Sequence, residues 1–338
     1  MVEWMIDERS SQETTEPVLR IKDLDVSYYT DAGRARALAG VSFDLYAGEK
    51  LGLVGESGSG KSTMALAMMR MIKPPGRIEG GHVIVDGIDL MSLSQDEMLK
   101  ARLSKISYIP QGAMNSLNPV IKIGAQMKDA ILAHDSKASR RYIRQRSRDA
   151  LASVDLDQSV FNMYAHELSG GMKQRVCIAI GILLEPRVIV ADEPTSALDV
   201  VTQRQVMETI DRVREHLGVA VILIGHDMGL MAQFVDKVAV LYAGQIMELS
   251  TVKEMFTDAL HPYADALINS LPSLDNKGIF EGIPGLAPAL LRLPSGCSFH
   301  PRCEHVMDIC RTDRPAPESI NGRIVACHLH TNEENIAS

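Results

Sequence analysis

Aromatic residues are scarce. Phe, Trp and Tyr make up 4% of the 338 residues, with a single Trp, so a platform for stacking nucleic-acid bases is not indicated. Positive charge is not in excess either. There are 35 Lys and Arg against 43 Asp and Glu, a formal charge of −8. That argues against a general basic surface for duplex binding. Residues 1–17 supply part of the balance, with five acids and one Arg. Long apolar runs are missing. Val176–Leu184 and Val219–Ile224 fall well short of the roughly 20 residues a spanning helix needs. The acidic N-terminus has no apolar signal segment, so a cytosolic protein is expected, one that reaches a membrane only through a partner. Cysteine is sparse until the end. Of five, Cys177 stands in an apolar run and reads as a small core residue, while Cys297, Cys303, Cys310 and Cys327 crowd together. In a cytosolic chain that crowding points to a metal site before disulfides.

The remaining composition is that of a globular protein, 46% hydrophobic and 23% charged. Residues 1–17 read as a flexible tail. Val18–Tyr29, Val41–Leu45, His82–Val85 and Ile88–Leu90 carry strand patterning with turns between, which predicts an antiparallel sheet beside the strand Lys50–Val54. Residues 112–166 hold helical patterning and no good strand. Strand-like runs return at Val188–Ala191, Val219–Ile224 and Val238–Tyr242, with helices between them. That alternation predicts an α/β core with a parallel sheet covered on both faces. Beyond about residue 257 the chain is rich in Pro, Gly and Cys, which predicts a second, small loop-rich module. Lys137, Arg141, Arg144 and Arg148 form a basic stripe at helical spacing, read as a solvated helix face.

Gly55-Glu-Ser-Gly-Ser-Gly60-Lys61-Ser62-Thr63 fits G-x-x-x-x-G-K-[ST] between an apolar strand and a helical run at Ser62–Met71. Gly55, Gly58 and Gly60 let the backbone around Ser57 fold into a nest of N–H donors for a phosphate chain. The helix N-terminus adds its dipole. Lys61 brings charge to the outer phosphates, and the Ser62 hydroxyl is a ligand for Mg²⁺. Val188–Glu193 is an apolar strand ending in two acids. Asp192 is placed to hold Mg²⁺ and Glu193 to polarise a water. G-x-G-x-x-G is absent, which removes a dinucleotide site.

Leu168-Ser169-Gly170-Gly171-Met172-Lys173-Gln174 is a second Ser/Gly nest opening a helix. Here the chain resembles the ATP-binding-cassette (ABC) ATPases, whose signature reads LSGGQ; Met172 replaces the Gln, and Gln174 is close by. The resemblance covers about residues 18–260. It implies a P-loop ABC ATPase: a RecA-like parallel sheet core, an antiparallel β subdomain and a helical subdomain at about 112–166. It implies ATP held between the Lys61 loop of one subunit and the signature (Ser169, Gly170, Gly171, Gln174) of another. Gln111 matches the Q-loop residue and Asp199 the D-loop. His226 matches the switch histidine, with Gly225 where Thr or Ser is commoner. Tyr28, or alternatively Tyr29, matches the aromatic that stacks on adenine. By that resemblance the catalytic set is Glu193, His226 and Gln111, ATP is bound by Tyr28, Gly55, Ser57, Gly58, Gly60, Lys61, Ser62 and Thr63, and Mg²⁺ by Ser62, Gln111 and Asp192.

Gln111-Gly-Ala-Met-Asn115-Ser116-Leu117-Asn118-Pro119 and His261-Pro262-Tyr263 are similar to segments of the dipeptide and oligopeptide permease ATPases. That implies a C-terminal extension over 261–338. Its cysteines, Cys297-x5-Cys303-x6-Cys310-x16-Cys327, leave an iron–sulfur cluster and zinc both open on spacing, with packed or bridged thiols as a third reading. The resemblance implies a [4Fe–4S] cluster, with Zn²⁺ the alternative. It further implies an importer motor on the cytoplasmic face of the cell membrane. The expected partners are a second, different ATPase chain (or a second copy), two transmembrane permease subunits and an extracytoplasmic binding protein, with no nucleic acid. Peptide is the expected cargo, oligosaccharide or nickel the alternatives. A soluble ABC ATPase of DNA repair or translation is the rival class.

Overall fold

The structure, a computed structural model, describes residues 16–112, 116–270 and 282–330. The expected tail therefore lies almost wholly outside the described residues, as do Ala113–Asn115 of the stretch after Gln111. Strands β1 (Leu19–Thr30) and β2 (Gly33–Leu45) form a hairpin, and β3 (Lys50–Val54) leaves for a second sheet. After helix α1 (Lys61–Met68), β4 (Gly76–Val85) and β5 (Ile88–Asp89) complete an antiparallel sheet of order β2-β1-β4-β5. Two strands start earlier than patterning predicts. Gly33–Gly40 alternates only Arg with Ala at its start, a weak strand signal, but its backbone pairs with β1 from Thr30↔Gly33 to Asp25↔Ala39. Likewise β4 pairs with β1 back to Tyr28↔Gly76. Ladder bonds to a neighbour, which pattern cannot display, decide both.

The larger sheet collects β6 (Ile106–Ile109), β7 (Val188–Asp192), β8 (Ala220–Ile224), β9 (Lys237–Tyr242) and β10 (Gln245–Thr251) around β3. Its order ends β10-β9-β3-β8-β7-β6, parallel from β9 to β6. Side chains alternate along each strand, so each face feeds its own core. Leu51, Leu53, Val190, Ile222 and Leu241 pack with Met64 and Met68 of α1 and with Leu19, Ile21 and Phe43 of the antiparallel sheet. Val54, Ile189, Ala191, Val221 and Val240 pack on the opposite side with helical residues. The helices there are α3 (Ile123–Leu132), α4 (Arg140–Ser153), α5 (Gly170–Gly181) and α6 (Val200–Leu217). The first two lie within residues 112–166, where helical patterning is read. Lys137, Arg141 and Arg144 are exposed and Arg148 half-buried, as a solvated face requires. Among the described residues no helix is long and apolar enough to cross a membrane.

The C-terminal extension is less separate than the sequence leads one to expect. Strands β11 (Glu318–Ile320) and β12 (Arg323–Val325) join the cassette's own sheet, β12 pairing with β10 at Glu248↔Val325 and Leu249↔Ile324. Cys297, Phe299 and Cys310 belong to the same core as Val54 and Val240. A loop-rich segment too small for its own core has been annexed to a neighbour's.

Candidate active site

The phosphate loop runs from the end of β3 to the start of α1. Gly55 has φ 147°, and a Cβ there would collide with the Leu241 carbonyl oxygen. Gly60 has φ 111°, and its Cβ would sit 2.6 Å from the Ala37 carbonyl oxygen. Only glycine fits either corner. Ser57 and Gly58 are exposed at the crest, Ser62 is exposed and Thr63 half-buried on α1. Lys61 is 8% exposed. Its Nζ donates to the Gly55 carbonyl at 2.7 Å, the Glu56 carbonyl at 2.8 Å and Ser59 Oγ at 3.3 Å. Burial pulls its pKa down, while Glu193, Asp192 and Glu56 pull it back up. A buried ammonium surrounded by oxygen acceptors suits phosphate oxygens equally well.

Three side chains converge from the ends of three adjacent parallel strands. Gln111 follows β6, Glu193 follows β7 and His226 follows β8. Gln111 Nε2 donates to Glu193 Oε2 at 2.6 Å, and His226 Nδ1 lies 3.6 Å from Glu193 Oε1. Glu193 takes a left-handed backbone, φ 45°, and its N–H donates to the Ile224 carbonyl at 2.9 Å. Backbone of that kind tends to collect at functional sites. Asp192 beside it is 1% exposed. It accepts from Ser62 Oγ at 3.3 Å and from Tyr108 Oη at 3.1 Å. Burial raises its pKa, against the two hydroxyl bonds and Lys61. Tyr108, on β6, is a site residue that no motif in the sequence marks. At Gly225 a side chain would meet the terminal carbon of Met231, which fills the space a Thr or Ser would take.

Ser169 caps α5, accepting from the Met172 N–H at 3.3 Å, and is exposed. Gly170 and Gly171 follow, half-buried. Gln174 departs from expectation: it is 3% exposed, turned into the molecule, with no partner on its Nε2. Asp199 caps α6 by accepting from the Thr202 N–H at 3.0 Å and Oγ1 at 2.6 Å, bonds that hold its pKa below the usual range. A Cβ on Gly171 would lie 2.6 Å from Thr202 Cγ2, so the signature packs against the first turn of α6, just past Asp199. Tyr28 is half-buried against Gly76. Tyr29 is exposed, with the guanidinium groups of Arg34 and Arg77 at 6.0 and 5.2 Å from its ring centre.

The extension begins at α9 (Pro262–Asn269), capped by His261 with Pro262 at the first helical position, where its missing N–H costs nothing. Tyr263 N–H donates to His261 Nδ1 at 2.9 Å. That bond places the imidazole proton on Nε2. Burial pushes the His261 pKa down to about 3, and Nε2 has no partner. His261 lines one small cavity together with Cys297, Cys303, Cys310 and Cys327. Burial raises the thiol pKa of Cys297 and Cys303 and pushes Cys327 up to about 11. Among the described residues no three His, Cys, Asp or Glu are gathered at the spacing of a single metal ion. Cys177 is half-buried, its thiol pushed up to about 12 by burial, in keeping with a core role.

Fold and site together define an ATPase of the cassette type. Comparisons then narrow it. The family described as ABC transporter matches residues 38–196, and the oligopeptide/dipeptide transporter C-terminal region matches 247–310. The oligopeptide transport ATP-binding protein OppD of Escherichia coli is 42% identical over 326 residues, 96% of each chain. The dipeptide transport ATP-binding protein DppD of Caldanaerobacter subterraneus is 40% identical over 316 residues, 93% of this chain and 97% of its own. Among solved structures, the dimeric post-hydrolysis cassette MJ0796 bound to ADP and phosphate aligns with TM-score 0.61 and 28% identity, over 69% of this chain and 98% of its own. The chain belongs to the family of ABC transporter ATP-binding subunits of the oligopeptide/dipeptide permease type.

Proposed function

We propose that this chain is the ATP-hydrolysing motor of a peptide importer, docked on the cytoplasmic face of a membrane through two permease subunits and fed by an extracytoplasmic binding protein. The names of its relatives support peptide as cargo. The observation that carries the motor reading is the meeting of Gln111, Glu193 and His226 beside the buried Lys61. Tyr28 stacks on the adenine; the backbone from Gly55 to Thr63 and Lys61 seat the phosphates. Ser62 and Asp192 are hard oxygen donors within 3.3 Å of one another, a fit for Mg²⁺, with the Gln111 carbonyl oxygen as third donor. When bound there, such an ion would supply charge neutralisation to the phosphates. Glu193 accepts the proton of the attacking water, and Gln111 and His226 fix that carboxylate and the γ-phosphate. Ser169, Gly170 and Gly171 reach the nucleotide held by a second cassette, a different chain, with Asp199 at the seam. Gln174, being buried, is left out of that contact.

Glu193→Gln keeps the amide's hydrogen bond and removes the base. Turnover should fall about 10²–10⁴-fold with ATP affinity retained. Hydrolysis at the wild-type rate removes Glu193 from the role.

We further propose that Cys297, Cys303, Cys310 and Cys327 hold a [4Fe–4S] cluster. Four thiols around one cavity form an all-sulfur donor set. The unpaired Nε2–H of His261 at the cavity wall also calls for an acceptor there. Such a group would cross-link the loops of the extension. Anaerobically purified protein should be brown and contain iron and sulfide; colourless protein with stoichiometric zinc refutes it.

A further inference from the structure

Of the four positions that the phosphate-loop motif leaves undefined, Glu56 is the one that carries a charge. Each of its polar groups is engaged. Its carbonyl oxygen accepts from Lys61 Nζ at 2.8 Å. Its N–H donates to Tyr263 Oη at 3.0 Å. Its carboxylate accepts from both terminal nitrogens of Arg302, at 2.7 and 2.9 Å. Two of these three holds come from the C-terminal extension, Arg302 lying 246 positions along the chain.

Arg302 is built for this contact. It stands between Cys297 and Cys303 in sequence, and its side chain is 5% exposed. Nε donates to the Pro284 carbonyl at 2.8 Å, Nη1 also to Tyr242 Oη at 3.2 Å, and Nη2 also to the Ile283 carbonyl at 3.2 Å. All five guanidinium N–H groups are thereby used. The ring of Tyr263 packs against Tyr242 at 4.5 Å and Phe299 at 5.2 Å between centroids, and the Arg302 guanidinium lies 5.8 and 5.9 Å from the same two rings, so neither partner of Glu56 can swing freely. A bidentate, largely buried charge pair is among the stronger polar contacts available.

We infer that Arg302 and Tyr263 are positioning residues for ATP binding: through Glu56 the C-terminal extension fixes the first corner of the phosphate loop and the seat of Lys61. The cassette alone does not carry this clamp. The inference rests on the loop's role in binding nucleotide, which the wild-type affinity for MgATP checks separately, and it is independent of what the four cysteines hold.

The test uses the full-length chain with MgATP as probe. Arg302→Met keeps the buried stem and removes the donors; Glu56→Gln and Tyr263→Phe remove single contacts with little change of shape. Arg302→Met and Glu56→Gln should each weaken MgATP binding about tenfold, raising KM with kcat within about twofold. The double variant should be no worse than the single ones, and Arg302→Lys should recover part of the loss. Iron, zinc and visible absorption measured on each variant show whether the cysteine cavity is intact. If Arg302→Met does not fold, Glu56→Gln and Tyr263→Phe decide. Unchanged MgATP affinity in folded Glu56→Gln and Tyr263→Phe overturns the inference, as do additive losses in the double variant.

Discussion

Two neighbouring carboxyl groups at the end of β7 meet different surroundings. Asp192 is sealed from water under Tyr108 and Ser62, whereas Glu193 reaches out to Gln111 and His226. Burial favours the neutral form of Asp192 and raises its pKa. The charged form is thus a cost to the folded state above the pKa of the unfolded chain, and protonation relieves it as pH falls. Asp192→Asn should therefore raise Tm in the absence of nucleotide by about 2–4 °C, while Mg²⁺-dependent hydrolysis is lost. Calorimetry and ATPase assay together check it; a lowered Tm contradicts the burial argument. In the wild type, Mg²⁺ affinity should begin to fall at a higher pH than for an ordinary carboxylate, which titration calorimetry across the acid range measures. Lys61 was legible from the glycine-rich loop that opens α1, Asp192 and Glu193 from the acids that close an apolar strand, and His226 from the family resemblance. Tyr108, Glu56 and Arg302 were not, since they act through contacts between distant segments and no motif marks them.

At the scale of elements, Glu248 on β10 governs how the extension attaches. It is fully buried and accepts from the Leu260 and His261 N–H groups at 2.9 and 2.8 Å, just before α9. Its other oxygen accepts from Arg323 Nη2 on β12 at 2.6 Å. One carboxylate thus seats both the entry to α9 and an annexed strand. Breaking a buried pair leaves an uncompensated charge, so Arg323→Met should cost about 3–5 kcal/mol. Denaturant unfolding reads it, and a loss below about 1 kcal/mol would show that the pair behaves like a surface one. The early starts of β2 and β4 and the merging of the extension into the cassette sheet escape sequence reading for the same reason. They are set by backbone pairing with a neighbouring strand, within a hairpin for β2 and across long separations for β4 and β12, which hydrophobic period does not record. The helices within 112–166, by contrast, carry their period openly, and the parallel strands stand out as unbroken apolar runs.

The whole molecule presents its two phosphate-facing nests in one chain, Gly55–Thr63 and Ser169–Gly171. The first sits at the strand ends beside the catalytic acids. The second caps α5, exposed, and leans on Thr202 next to Asp199. A single chain has use for only one nucleotide at the Lys61 loop, so an exposed second nest is explained by a nucleotide on a partner cassette. This arrangement supports the pairing of two cassettes in the function proposed above. The most direct measurement is the structure of the assembled transporter carrying Glu193→Gln and loaded with MgATP. Ser169 Oγ should stand about 3 Å from the γ-phosphate seated on the partner's lysine loop. Nucleotide bound at Lys61 with Ser169 left in solvent, far from any phosphate, would contradict the account.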